Sequence, residues 1–248
     1  MDGLDIDYEW NTSDDTVCKR TSGYIGHPFA GERYTGWGRK YVELLEAIKK
    51  EQNENETLSI ALQMNPDYLG DLSEVGHRFY DVLDWLGCMS YDYNGSWGSF
   101  SAHNAPLFMH KDDPNYGKEW TVQQTVDKLA SIVKPKGTTG RDYSKLVLGI
   151  AYYGRVFRSS KMFGKATGAG TIKSWECGVI DYYNGGVAKD IWSMVESDNP
   201  KRIQVTVDGI TSQDPYIEKD GHVIVYDDEL SIQQKCKWGM QKGMMGWM

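Results

Sequence analysis

No apolar run in the sequence approaches the roughly 20 residues that a bilayer span requires, which sets aside an integral membrane protein. There is no basic excess either: 27 Lys and Arg against 35 Asp and Glu leave a formal net charge of −8. Nucleic acid is therefore a poor main partner, because phosphate binding wants clustered cations. Cysteine is scarce. Cys18, Cys88, Cys177 and Cys236 are far apart, with no CxxC pair and no His/Cys spacing suited to a metal. Cys88 sits in an apolar run and reads as a buried thiol; pairing among the others stays open. His27, His77, His103, His110 and His222 show no ligand spacing and receive no role. The opening residues are acidic and lack the basic-then-apolar order of a secretory leader. Asn-x-Ser/Thr triplets at Asn11, Asn55 and Asn94 permit a secreted protein without demonstrating one. No internal repeat or low-complexity segment is evident.

What the chain does have is ordinary globular usage, 40% hydrophobic and 25% charged over 248 residues, enough for a sizeable core. Aromatics are plentiful at 12%. Most belong in a core, but the same side chains suit flat ligands with apolar faces and polar edges.

Along the chain, strand-like and helical patterns alternate. Gly3 to Tyr8 reads as a strand. Trp37, Tyr41, Leu44, Leu45 and Ile48 then recur at helical spacing. Leu58 to Met64 is a buried strand stopped by Asn65-Pro66. Val75, Phe79, Val82 and Leu83 mark a second helix, and Leu86 to Tyr93 a third strand. Thr121 with Gln124 forms a capping box for a helix striped by Val122, Val126, Leu129 and Val133. Leu146 to Tyr153 reads as one near-continuous apolar strand. From about Arg158 to Tyr226 the pattern breaks into Gly-rich turns and short strands, with Asp220-Gly221 as a hairpin turn. A helix over Asp228 to Lys242 and the start of a strand in Met244 to Met248 follow. Apolar strands alternating with helices predict an α/β fold with a parallel sheet. The expected division is 1–157 for this sheet, 158–226 for a small α+β insertion and 227–248 for the return. Five such strands fall short of the eight that close a βα barrel.

The segment with chemistry in it is Asp2-Gly-Leu-Asp5-Ile-Asp7-Tyr-Glu9. On a strand Asp5, Asp7 and Glu9 project to one face, neighbours about 6–7 Å apart. Three carboxylates on one face repel, and burial makes ionisation costly, so at least one is expected to hold a proton at neutral pH. A protonated carboxyl beside an ionised one is what acid-catalysed glycoside cleavage uses. Two blander uses of the same residues are a solvated strand face and a magnesium or manganese site. A calcium loop fits poorly, because Leu4, Ile6 and Tyr8 between the acids are apolar.

This segment resembles the DxxDxDxE signature of family 18 glycoside hydrolases, the chitinases and their relatives. Met89-Ser-Tyr91-Asp92 resembles that family's MxYD strand, Tyr153-Gly-Arg155 its YGR strand end, and Trp247 the tryptophan of its last strand. Trp175-Glu176 through Asp181-Tyr and Pro215 through Asp228 resemble the insertion domain of its bacterial-type chitinases. The resemblance implies a partial TIM (β/α)8 barrel, strands 4 to 8 of the family, carrying an α+β insertion domain. The implied activity is substrate-assisted, retaining hydrolysis of β-1,4-linked N-acetylglucosamine with no cofactor. In that scheme Glu9 is the general acid/base, Asp7 orients the acetamido group, Asp5 tunes Asp7, Tyr91 donates to the acetamido oxygen and Asp92 contacts the distorted sugar. Trp247 would floor that sugar; Met89, Tyr153, Arg155, Trp97, Trp175 and Glu176 are the expected substrate-binding residues. Chitin or N-acetylglucosamine oligosaccharides are the implied partner, outside the cell, with neither nucleic acid nor membrane involved. An inactive chitin-binding relative and an endo-β-N-acetylglucosaminidase acting on glycoproteins are the alternatives. The family's first three barrel strands have no counterpart here, so the chain alone is expected to be poorly stable or to need a partner.

Overall fold

In the computed structural model the described residues are 2–8, 37–95, 97–166, 179–181 and 199–248. In chain order they form β1 (Gly3–Asp7), α1 (Trp37–Glu51), β2 (Thr57–Gln63), α2 (Pro66–Leu69), a 3-10 turn (Gly70–Leu72), α3 (Gly76–Val82), β3 (Trp85–Met89), α4 (Val122–Ile132), β4 (Leu146–Leu148), β5 (Tyr153–Arg158) and β6 (Val179–Asp181). There follow β7 (Lys201–Ile203), β8 (Thr206–Val207), β9 (Ile210–Thr211), β10 (Asp214–Lys219), β11 (His222–Val225), α5 (Glu229–Lys242) and β12 (Gly246–Trp247). Among them no helix is long and apolar enough to cross a membrane.

One sheet has the order β1-β2-β3-β4-β12 with every neighbouring pair parallel. Its central strands β2 and β3 read as apolar runs because both of their faces are buried, one of them under helices. Leu58, Ile60, Leu62, Leu86, Cys88, Leu146 and Leu148 join Tyr41, Val42 and Leu45 of α1, Val122, Val126 and Leu129 of α4 and Trp238 of α5 in one core. Each fully buried aliphatic side chain there contributes about 1.5–3 kcal/mol. Burial pushes the Cys88 thiol up to about 12, so it is the inert core cysteine its apolar run predicts. The alternate residues of β2 and β3 (Ser59, Ala61 and Gln63; Gly87 and Met89) face the other way, and the register sets Asp5 beside Ser59 and Asp7 beside Ala61. This is a partial βα barrel, with the strands near residues 5, 61, 89, 150 and 246 that the sequence predicts.

Of the box expected at Thr121 only the cap forms: Thr121 Oγ1 accepts from the Gln124 N–H and donates to Gln124 Oε1, which therefore does not reach back to the Thr121 N–H; Asp228 caps α5 in a reciprocal box with Ser231. The expected strand over Leu146 to Tyr153 divides in two. β4 stops at Leu148; Gly149 N–H then donates to the Cys88 carbonyl and Ile150 N–H to the Met248 carbonyl. At Tyr153 the chain enters a second, antiparallel sheet of order β6-β5-β11-β10-β7. Hydrophobicity ran on across the break because both pieces are buried, so nothing in it marked the change of sheet. The expected boundary at 158 falls on the last residue of β5. The β10–β11 hairpin turns through Asp220 (φ 48°) and Gly221 (φ 74°), the two positive angles that a two-residue turn of this hand needs.

Candidate active site

Barrel chemistry gathers where strands end at their carboxyl side. At that end of β2 and β3 lies an open pocket of about 370 Å³. Gln63, Met64 and Asn65 line it from the end of β2, Met89, Tyr91, Asp92 and Tyr93 from the end of β3, and Trp97 and Trp120 from the loop beyond.

Asp92 is the hub. Its backbone is left-handed at φ 61°. Its Oδ1 accepts from the Tyr153 hydroxyl at 2.6 Å and from the Arg155 guanidinium, which pairs with it as a salt bridge. The Arg155 side chain is 5% exposed against 44% for Asp92, so the cation is buried and the carboxylate reaches the surface. The guanidinium also lies over the Trp97 ring at 5.0 Å and the Tyr153 ring at 5.5 Å, and Tyr91 meets Tyr153 edge-on at 5.9 Å. Burial, then the Asp92 charge, holds the Tyr153 phenol well above the usual tyrosine range, so it stays a donor. Trp97 lies across Gly95: a Cβ there would come within 2.5 Å of the indole. Glycine at 95 thus lets the ring lie flat, half open to solvent, beside Arg155. Met89, Tyr91, Asp92, Trp97, Tyr153 and Arg155, named from the sequence, come together here.

The acidic strand is less enclosed than expected. Asp5 and Asp7 are exposed, where the sequence reading has them buried; β1 is the outermost strand of its sheet among the described residues. Asp5 Oδ1 accepts from Ser59 Oγ at 2.5 Å, which ties the acid row to the inward face of β2. Glu9, Trp175 and Glu176 lie outside the described residues. Trp247 does not line the pocket. Its register puts it level with Leu148, a core residue on the helix-facing side, while Met248 reaches the inward face, its Sδ close over Gly87. Among the described residues no cluster of three His, Cys, Asp or Glu side chains could hold a metal ion.

The profile of the family described as glycosyl hydrolases family 18 matches residues 1–248. The chain belongs to that family. It is similar to chitinase A1 of Niallia circulans, 27% identical over 258 residues, which covers 100% of this chain and 34% of that protein. It is similar too to chitinase 1 of Aphanocladium album, 27% identical over 259 residues, covering 51% of the relative. The chain therefore spans between about a third and a half of these relatives. Among solved structures, catalytic domain 2 of the Group II chitinase of Ostrinia furnacalis superposes with a TM-score of 0.73 at 21% identity, over 100% of this chain and 59% of that one. At that identity the likeness is one of fold.

Within this family 18 chain, sequence reading missed Gln63, Met64, Asn65, Tyr93 and Trp120 as pocket residues. Gln63 and Asn65 did carry a signal, since polar residues closing an apolar strand mark a barrel's working end. Trp120 carried none; it reaches the pocket from the far end of a long loop and meets Tyr93 edge-on at 6.4 Å.

Proposed function

We propose that this chain forms the larger part of a site hydrolysing β-1,4-linked N-acetylglucosamine chains, outside the cell, by a retaining, substrate-assisted route. The observation that carries the reading is Asp92 at the pocket lip, held by Tyr153 and Arg155 with the Trp97 ring alongside. A carboxylate fixed next to an exposed indole offers a sugar ring both hydrogen bonding and a flat apolar face. Family membership and the DxxDxDxE pattern supply the reacting groups.

In this reading Glu9 protonates the leaving glycosidic oxygen. The acetamido oxygen of the same sugar attacks the anomeric carbon, closing an oxazolinium ring as the glycosidic bond breaks. Asp7 takes the acetamido N–H and offsets its growing positive charge, with Asp5 behind it. Tyr91 donates to the acetamido oxygen and Asp92 contacts the sugar while it is distorted. Glu9, now ionised, takes a proton from the water that opens the ring, so configuration is retained. An internal nucleophile gains from proximity, which removes the need for a second enzymic nucleophile. Met89 and Trp97 would line the sugar subsite, with Trp175 and Glu176 on the cleft wall. On the register described, Trp247 is given no part.

Glu9→Gln keeps the shape and removes the acid. Chitin-oligomer hydrolysis should fall by at least about a hundredfold, since acid catalysis contributes on the order of 10²–10⁴, while oligosaccharide binding by calorimetry persists. Turnover at the parent rate by this variant would remove Glu9 from the mechanism.

A further inference from the structure

The turn after β3 is held from below by one side chain to which the scheme above gives no task. The Asp92 N–H donates to Asn104 Oδ1 at 3.1 Å. The Tyr93 N–H donates to the Asn104 backbone carbonyl at 3.0 Å. Next along, Asn94 Nδ2 donates to the His103 carbonyl at 2.8 Å and its Oδ1 accepts from Asn115 Nδ2 at 2.7 Å. Three consecutive residues are thereby tied to the 103–104 segment, and Asn104 itself is buried at 3% exposure.

Asp92 needs such a tie. A left-handed φ is uncommon outside glycine; aspartate tolerates it better than most residues, and hydrogen bonds to the turn hold it in place. That conformation aims the carboxylate at Tyr153 and Arg155. The Asn104 amide also lies beside the Tyr153 hydroxyl and works against the other influences on that phenol. Asparagine suits both tasks. Its oxygen accepts the Asp92 N–H, and it brings no charge to compete with Asp92 for Arg155.

We infer that Asn104 is a positioning residue: it sets the Asp92 turn and reaches substrate only through Asp92. The inference rests on the proposed reading of Asp92 as a group that contacts the sugar.

The test uses the full polypeptide and two readouts. In Asn104→Leu, hydrogen exchange at the Asp92 amide should speed up on the order of tenfold to a hundredfold, the effect of one lost buried hydrogen bond, while amides of β3 stay protected. The kcat/KM on chitin oligomers should fall by a similar factor. In an Asp92→Ala background, adding Asn104→Leu should cost less than about twofold, because residues acting as one unit are not additive. Unchanged exchange at Asp92, or full losses that multiply in the double variant, would overturn the inference. If the parent protein hydrolyses no chitin oligomer, the functional reading falls while the exchange arm still decides the turn. If Asn104→Leu does not fold, Asn104→Asp serves. It keeps an acceptor, so Asp92 protection should survive while the pH profile of kcat/KM shifts; loss of that protection would count against the clamp.

Discussion

Arg155 joins the two five-stranded sheets of the described residues to one another at Asp92. The arginine sits on β5 of the antiparallel sheet and the aspartate just past β3 of the parallel one, and the buried guanidinium is paired with a carboxylate at the pocket lip. The same guanidinium lies over Trp97, so the position of the second sheet sets the position of an indole in the pocket wall.

Replacing Arg155 by lysine should therefore not be conservative. Lysine keeps the charge but loses the planar face over Trp97 and the fork of donors. The kcat/KM on chitin oligomers is expected to fall about tenfold, the equivalent of one cation–π or charged hydrogen bond. Stability should drop by only about 1 kcal/mol, because lysine keeps the charge and Asp92 is partly open to water, so the pair is discounted accordingly. Steady-state kinetics and urea unfolding on the same preparation read both. Unaltered kinetics would detach the ion pair from the site.

Lys235 makes a harsher test of burial. It is 1% exposed, and its Nζ donates to both Asp227 oxygens at 2.6 Å, one of which also accepts from Ser231 Oγ at 2.7 Å. Lys235→Met leaves Asp227 charged and unpaired in the interior, and a loss of roughly 3–5 kcal/mol is expected. The Lys235→Met, Asp227→Leu pair should recover much of it. By contrast Arg39→Ala, which breaks an ion pair with Glu74 whose side chains are 62% and 80% exposed, should cost under about 1 kcal/mol. Chemical denaturation of the three variants beside the parent gives the ranking; equal losses at Lys235 and Arg39 would contradict it.

Two buried groups near Lys235 give opposite pH dependences. Burial raises the Asp214 carboxyl to about 7, with Asp227 raising it further and Lys235 opposing. The folded state thus holds the Asp214 proton more tightly than the unfolded chain, so this group's contribution falls as pH rises from about 4 to about 7. Burial, then Lys235 and His110, lowers His103 to about 3. There the unfolded chain binds the proton more tightly, so that contribution rises with pH from about 3 to about 6.5 and is lost in acid. Each effect is on the order of a few kcal/mol, and in the parent they offset one another between about pH 4 and 6.5. Asp214→Asn should steepen the gain in stability with pH over that window and raise stability at pH 7; His103→Gln should leave a net decline. Urea midpoints against pH for the three proteins check the signs, and identical profiles would place both side chains in water.

Much of the architecture was legible because its causes are local. The stripe over Tyr41 and Leu45 names a helix, the apolar run through Leu58, Ile60 and Leu62 a covered strand, Thr121 a cap and Asp220-Gly221 a turn. Each of these is decided within a few residues. The pocket was legible in part: motif resemblance singled out Asp92, Tyr153 and Arg155 but not their bonds to one another, and Asn104 had no signature at all, being one asparagine in a buried, mostly apolar loop.

The order of strands and helices and the shared face of Asp5 and Asp7 followed from the sequence alone, since backbone periodicity is written residue by residue. Tertiary structure decided the rest. Arg155 reaches Asp92 across 63 positions, and no spacing rule extends that far. Trp247 shares a face with Leu148 because of the pairing register, where a slip of one residue would reverse every side chain. Asp5 and Asp7 meet water because exposure depends on which strands lie alongside, a property of the assembled sheet and not of the strand.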